Sequence, residues 1–503
     1  MSHLNSSVIN TQNKQPKELT YLFLVEMWER FAYYGMQVIL IFFLLNKLNF
    51  DDSIAIQVNA AFMALVYATP CIGGYVADKI FGIKRSLILG AIFLILGYFF
   101  LGIVSSDFLL NYFNSGLINK LFYISLGFII IGNGFFKPNP TTLLSKVYKP
   151  NDPRIDSGYT IFYMSINIGG QLSELIIPVV KNFYGYPPAF FICSVGLVIG
   201  LSWFITRLKY FKNHGSSIDF VRISFGRYLG VIVASLICVL IASDILISLD
   251  RANAVLSIVS VIVIFTYLYF SFSLPGIVGK KVLASFFLII MAIVFFSIYA
   301  QIFGAMNLFI NNNVDKVIFG YNIPAETFAV INPIWIVILS PFFAKFYLHM
   351  ENSNKPVSIP LRFSLGLILA SFSLLIMPIA AMSAVDGILS PWWIVLSYFF
   401  ISAGELLVSA LGLAMVCKLS PSNMTSYFMG GFLLSTSIGI WLSGMVGKFI
   451  ITPAKTPSGL LETEYFLHMY TSIFFKLGVI TFIMSLLAFT VVPFINRLIN
   501  SKK

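Results

Sequence analysis

Residues 26–35 read Glu26-Met27-Trp28-Glu29-Arg30-Phe31-Ala32-Tyr33-Tyr34-Gly35, and they stand inside an otherwise apolar run from about 21 to 46. A run of ~20 apolar residues is the length a helix needs to cross a bilayer. Ionisable groups inside such a helix are costly, so they face a cavity or a charged partner. Glu26 and Arg30 are four residues apart, which puts them on one helical face where they can pair. Tyr33 lies three residues further and extends that face. Two acids, one base and two phenols exceed what a simple salt bridge between two helices requires. The stretch reads as a polar site built into a membrane-spanning helix.

The rest of the chain repeats the apolar run. Of 503 residues, 58% are hydrophobic and only 10% are charged, against roughly 45–50% and ~25% in a soluble globular domain. A cytosolic enzyme, a disordered chain and a fibrous protein are excluded on that ground. Spans are expected near 21–46, 57–78, 86–105, 121–145, 157–180, 188–206, 228–247, 253–273, 282–310, 327–347, 361–383, 391–417, 424–447 and 466–492. The net charge of +12 is topological. Alternate loops carry the basic residues, among them Lys84, Arg85, Lys146, Lys149, Arg154, Arg207, Lys209, Lys212, Arg222, Arg227, Lys280 and Lys281. By the positive-inside rule both termini are cytoplasmic and the number of spans is even. No basic cluster lies on a soluble face, so no nucleic-acid partner is expected. The polar first 20 residues lack a small-residue cleavage site, so the first span is expected to be retained.

The layout is all-α and divides as six, two, six. A cytoplasmic tail (1–20) precedes a first six-helix bundle (21–206). A basic linker and an inserted helix pair follow (207–281), then a second six-helix bundle (282–492) and a cytoplasmic tail (493–503). The inserted pair is expected to be a lipid-facing appendage.

Other polar residues mark the membrane interior. Lys137, followed by Pro138 and Asn139, lies at a depth similar to Arg30 and can meet Glu26 or Glu29 across a cavity. Gly132 and Gly134 permit close helix contact there. Glu405 follows Gly404 in mid-span with Ser409 one turn on, and a lone carboxylate at that depth is a proton- or cation-binding candidate. Gln301, Asn307 and Asn332 are each either a satisfied buried amide or a ligand contact. No histidine stands mid-span, so proton chemistry falls to carboxylates. Cys71, Cys193, Cys238 and Cys417 sit singly in apolar runs and read as small core residues, with no disulfide or metal site.

Glu26-x-x-Glu29-Arg30-Phe31-x-Tyr33-Tyr34-Gly35 resembles the first signature of the proton-dependent oligopeptide transporters, within the major facilitator superfamily. Phe162-Tyr163-x-x-Ile166-Asn167-x-Gly169 resembles their second. Lys137-Pro138-Asn139 and Gly404-Glu405-Leu406 fit two more. Gly74, Asp78, Lys79, Gly82, Lys84 and Arg85 are similar to the gating-loop motif of the wider superfamily. Tyr299-Ala300-Gln301 with Ile331-Asn332-Pro333 is similar to the bacterial dipeptide and tripeptide permease branch.

The resemblance implies two bundles around a cavity that opens alternately to each side, and import of dipeptides and tripeptides with protons. It implies that Arg30, Tyr33, Tyr34, Tyr67, Lys137 and Asn167 bind peptide from the first bundle. Gln301, Asn332, Glu405 and Ser409 would do so from the second, with Glu26, Glu29 and Lys137 in proton coupling. It implies a bacterial inner-membrane protein, expected to be a monomer, with no cofactor, no metal and no enzymatic activity. Two departures stand out: Ala300 replaces a Glu frequent in the family, and Phe432 replaces a Trp. Glu174 belongs to no family motif. It follows Asn167 by seven residues, with Gln171 between, on one helical face. It is a candidate acid at the outer mouth, or otherwise a hydrated, idle one. The alternative to peptide import is import of another small solute, such as a modified peptide, an amino acid or an amine, by the same fold.

Overall fold

Long apolar runs become helices because a bilayer offers no partner for unpaired backbone N–H and C=O groups, and a helix satisfies them internally. The structure is a computed structural model, and it describes residues 15–149, 152, 154–353, 357–420, 424–450 and 462–501. In chain order the helices are α1 (Lys17–Asn46), α2 (Asp52–Ala68), α3 (Pro70–Val76), α4 (Ile83–Val104), α5 (Asp107–Tyr112) and α6 (Ser115–Phe136). Then follow α7 (Asn139–Val147), α8 (Ile155–Tyr184), α9 (Tyr186–Arg207), α10 (Phe225–Ile247), α11 (Leu249–Ser273) and α12 (Gly276–Tyr299). The last are α13 (Ala305–Asn313), α14 (Ile331–Asn352), α15 (Ile359–Ala381), α16 (Trp392–Leu419), α17 (Thr425–Gly444) and α18 (Glu462–Ile499).

Twelve segments among the described residues are long and apolar enough to cross a membrane. The other two long helices, α1 and α8, have 30 residues each and fall short in apolarity because they carry the buried acids Glu26, Glu29 and Glu174. They are not among the twelve, against the 14 spans expected from the sequence. Among the described residues the one small sheet is a hairpin of β1 (Val317–Ile318) and β2 (Tyr321–Asn322). Its two turn residues, Phe319 and Gly320, both take positive φ, as a tight primed turn requires.

The chain forms two compact units, residues 1–37 with 69–244, and residues 38–68 with 245–503. In the first, glycines let backbones touch. A Cβ on Gly73 would lie 2.0 Å from the Gly134 carbonyl oxygen, and one on Gly90 would lie 2.7 Å from that of Gly132. The linker after α9 is folded onto this unit rather than being a mere connector. Asp219 accepts from the backbone N–H groups of Ile83 and Lys84 at 3.0 and 3.1 Å, so a carboxylate caps the N-terminus of α4 from 135 residues away. Lys84 donates to the Phe211 carbonyl, and Arg85 to those of Ile218 and Val221.

The inserted helices expose many apolar residues, as a lipid-facing pair would, and each is anchored along one face. In the first unit, α10 packs on α6, where a Cβ on Gly127 would meet Ser243 Oγ at 2.4 Å, and Val239 joins a core of Phe81, Leu89, Phe93 and Phe135. In the second unit, α11 docks on α17. Tyr267, 1% exposed, donates to the Phe428 carbonyl at 3.0 Å and covers Gly431, and Trp441 donates to Asn253 Oδ1. The cysteine reading is corrected in part: Cys193 is buried, but Cys71 and Cys238 are exposed. An outward apolar position in a membrane helix meets lipid, so hydropathy alone does not separate it from core. The Cys417 side chain lies outside the described residues.

Candidate functional site

The first unit gathers the signature of α1 into one buried group. Glu29 is fully buried, and Glu26 and Arg30 are 4% and 3% exposed. Arg30 Nε donates to Glu29 Oε2 and forms an ion pair with Glu26 Oε1 at 3.2 Å. A guanidinium between two carboxylates suits its fork of donors. The Arg30 guanidinium also lies 5.5 Å from the centre of the Tyr33 ring, an arrangement that favours a desolvated cation. Lys137, half-buried at the end of α6, is close enough for its charge to act on Glu26 and Glu29 alike. The depth comparison anticipated this convergence.

Helix α8 reaches this group through its glycines. A Cβ on Gly169 would stand 2.2 Å from the Met27 carbonyl oxygen and 3.1 Å from Arg30 Cβ, and Gly170 meets the Tyr34 ring. The second signature therefore has a packing cause: Gly169 lets α8 lie on the α1 segment that carries Arg30. Asn167, two residues earlier, is half-buried and donates to the Tyr163 carbonyl. Gly169→Val should push the helices apart. Overpacking of this kind costs about 1–3 kcal/mol, so the thermal midpoint and uptake should both fall. Gly226→Ala, at a glycine with nothing within 4 Å, is the control and should lower neither; the comparison is read by thermal-shift and uptake assays on the purified variants.

The second unit holds a second polar group. Glu405 is half-buried on α16, and its Oε2 accepts from Asn332 Nδ2 at 3.1 Å. Ser402 Oγ accepts from the same amide nitrogen at 2.9 Å and donates to the Asn332 carbonyl. The carboxylate is thereby oriented by an amide that is itself held. Gly404 and Gly366 make the crossing of α15 and α16 tight, each carbonyl oxygen about 3 Å from the other's missing Cβ. Ser409 lies one turn beyond Glu405 and is half-buried. Tyr67, at the end of α2, belongs to this unit.

Other candidates have different surroundings. Gln301 is 2% exposed, and its amide donates to the carbonyls of Ser297 and Ser443, tying a 3-10 turn over Ala300–Phe303 to the end of α17. Asn307 donates to the Val38 carbonyl. Both amide nitrogens are satisfied, while Gln301 Oε1 is buried with no hydrogen-bond partner among the described residues. Phe432 is buried against Gly412, and its ring would collide with any Cβ there. Glu174 is 4% exposed, so it is not a hydrated surface acid. In the loop motif, Asp78 and Lys79 are exposed and Gly74 rests near Pro138. Arg85 is turned to the linker.

Two residues of these groups escaped the sequence reading. Ser402 precedes Glu405 by three positions on one helical face, a spacing that could have flagged it. Asn133 precedes Lys137 by four, and its Nδ2 donates to Glu29 Oε1 at 3.2 Å.

Comparison with known proteins gives the family. The family model described as the POT family matches residues 84–463. Over 492 residues the chain is 38% identical to the dipeptide and tripeptide permease B of Photorhabdus asymbiotica, covering 97% of this chain and 98% of that one. It is also 38% identical to the permease of the same name from Shigella dysenteriae, covering 97% of each. Among solved structures, a bacterial homologue of the human drug peptide transporters PepT1 and PepT2 superposes with a TM-score of 0.81 at 32% identity, over 96% of this chain and 99% of that one. A peptide transporter POT crystallised with sulfate gives 0.83 at 26% identity, over 97% and 96%. With a family model spanning most of its length and relatives matched end to end, this chain belongs to the POT family, the proton-dependent oligopeptide transporters.

Proposed function

We infer that this protein is a proton-coupled symporter that imports dipeptides and tripeptides by alternating access. The observation that carries the reading is the division of fixed charge: Arg30 and Lys137 with two buried acids in one unit, and Glu405 held by Asn332 in the other. A short peptide is a zwitterion with constant ends and variable side chains. Its carboxylate suits Arg30 as a planar fork and Lys137 as a point charge. Its ammonium suits Glu405 and Asn332. Tyr33, Tyr34, Tyr67, Asn167, Gln301 and Ser409 supply phenol, amide and hydroxyl groups for the peptide backbone, which is the same whatever the side chains. Glu26 and Glu29 take the proton, and Lys137 is the cation that their charge state releases. Gly74, Asp78, Lys79 and Arg85 form the gating loop. On this reading it resides in a bacterial inner membrane, as a monomer with both termini cytoplasmic.

Labelled dialanine taken up by proteoliposomes, in competition with a panel of dipeptides, amino acids and amines, tests the substrate class. Competition by many dipeptides and by neither of the other groups supports peptide import. Competition by an amino acid or an amine alone favours the other solute.

Glu174 extends this reading. A buried acid about two turns outward from Asn167 attracts cationic side chains of the peptide, so Glu174→Gln should weaken Lys- and Arg-containing peptides several-fold in a competition panel and leave dialanine unchanged. A shift in the pH optimum alone would instead give Glu174 a part in proton entry. Identical affinities and pH profile would remove it from the site.

A further inference from the structure

We propose that Asn133 is the positioning residue that holds Glu29 in both its charged and its protonated form. The inference rests on the reading that Glu29 takes the transported proton. Asn133 is fully buried on α6, and its Nδ2 donates to Glu29 Oε1 at 3.2 Å. The other Glu29 oxygen is taken by Arg30. Asn133 Oδ1 is buried and has no hydrogen-bond partner among the described residues. It is an acceptor in reserve beside a carboxylate that must at some stage become an acid.

The chemistry of the two forms requires such a partner. A carboxylate only accepts, whereas a carboxylic acid carries an O–H that must donate. Arg30 and Lys137 offer donors alone, so neither can receive that proton. An amide offers both functions. A half-turn about its terminal sp³–sp² torsion, which has two broad and nearly equivalent wells, exchanges Nδ2 for Oδ1 at the Glu29 oxygen. The same side chain then binds either form without any backbone movement.

The backbone at Asn133 is fixed for this task. Gly132 lies against the α4 backbone at Gly90 and Leu94, too close for a side chain, and Gly134 lies against Thr69 beside α3, where a Cβ would be tight. The Asn133 carbonyl accepts the Lys137 N–H at 2.8 Å, so the amide and the lysine are placed by one turn of helix. The charged and titratable groups that act on Glu29 are Glu26 and Arg30 of its own helix and Lys137 of α6. The buried phenol of Tyr98 on α4 senses the same charge, with Cys193 of α9 beside it.

The test is the pH profile of gradient-driven dialanine uptake in the full-length protein, with Asn133→Leu as the near-isosteric variant. Leucine removes the donor to the charged form and the acceptor for the acid. The charge-assisted bond is the stronger of the two, so protonation becomes easier and the alkaline limb of the profile should move up by about one pH unit. Counterflow and dialanine affinity should stay near wild type. Asn133→Gln restores both functions and should bring the limb back toward its wild-type place. Infrared difference spectra give a second readout. The protonated-carboxyl band that Glu29→Gln removes should shift to higher frequency in Asn133→Leu, as a weaker hydrogen bond to the acid requires. If Asn133→Leu does not reconstitute, Asn133→Ala carries the same two measurements. Should Glu29→Gln keep driven uptake at the wild-type rate, the assignment of Glu29 fails, and this inference with it. Should Glu29→Gln abolish driven uptake while the Asn133 variants leave both profile and band unmoved, the role of Asn133 alone is overturned.

Discussion

Lys137→Ala should abolish gradient-driven uptake and leave measurable counterflow of bound peptide. In the first unit Glu26, Glu29, Arg30 and Lys137 carry two negative and two positive charges, all in or beside one buried group. Uncompensated charge in that setting is costly. Without Lys137 the group has one cation for two acids, and neutrality is kept only if one acid holds a proton throughout. An acid that never releases its proton cannot couple transport to a gradient. Exchange of peptide across the membrane moves no net proton and survives. The paired assay is therefore diagnostic: driven uptake falls to the level of empty liposomes, and counterflow persists. Driven uptake at the wild-type rate in Lys137→Ala would sink the charge-switch assignment, and loss of both activities would leave the lysine with its peptide-binding role alone.

Glu405→Gln has the next largest expected effect. Glutamine keeps the shape, and its carbonyl oxygen can still accept from Asn332 Nδ2, which now bonds the carboxylate at 3.1 Å. What disappears is the charge that faces a peptide ammonium. Breaking one side of a buried charged pair costs about 3–5 kcal/mol, so dialanine affinity should drop by two or more orders of magnitude. Titration calorimetry at fixed pH reads this directly. Unchanged affinity in Glu405→Gln would exclude the carboxylate as the ammonium partner. The thermal midpoint of the variant should stay close to wild type, because Asn332 retains Ser402 as a partner.

What the sequence made legible follows from where the physics is local. Glu26, Arg30 and Tyr33 share a face by helix geometry alone, and all three meet in the structure. Lys137 could be placed beside them because depth along a helix is a simple rise per residue. The glycines of α6 announced close contact, and they make it. The rest depended on partners far away in the chain. Nothing near Asp219 in sequence says that it caps α4, since the donors at Ile83 and Lys84 lie in another loop. Tyr267 and Gly431 fix α11 to α17 across a separation no periodicity reports. Hydropathy treated Cys71, Cys193 and Cys238 alike, although only Cys193 is buried. Asn133 was hidden between two glycines whose role in packing was plain, while its own role depends on an acid 104 residues away.

The central claim is that peptide movement is driven by protons, and one experiment bears on it most directly. Purified protein in proteoliposomes is given labelled dialanine, once with an inward proton gradient and once with equal pH on both sides and no membrane potential. Accumulation above the external concentration with the gradient, and mere equilibration without it, is the predicted result. Equal accumulation under the two conditions would contradict it.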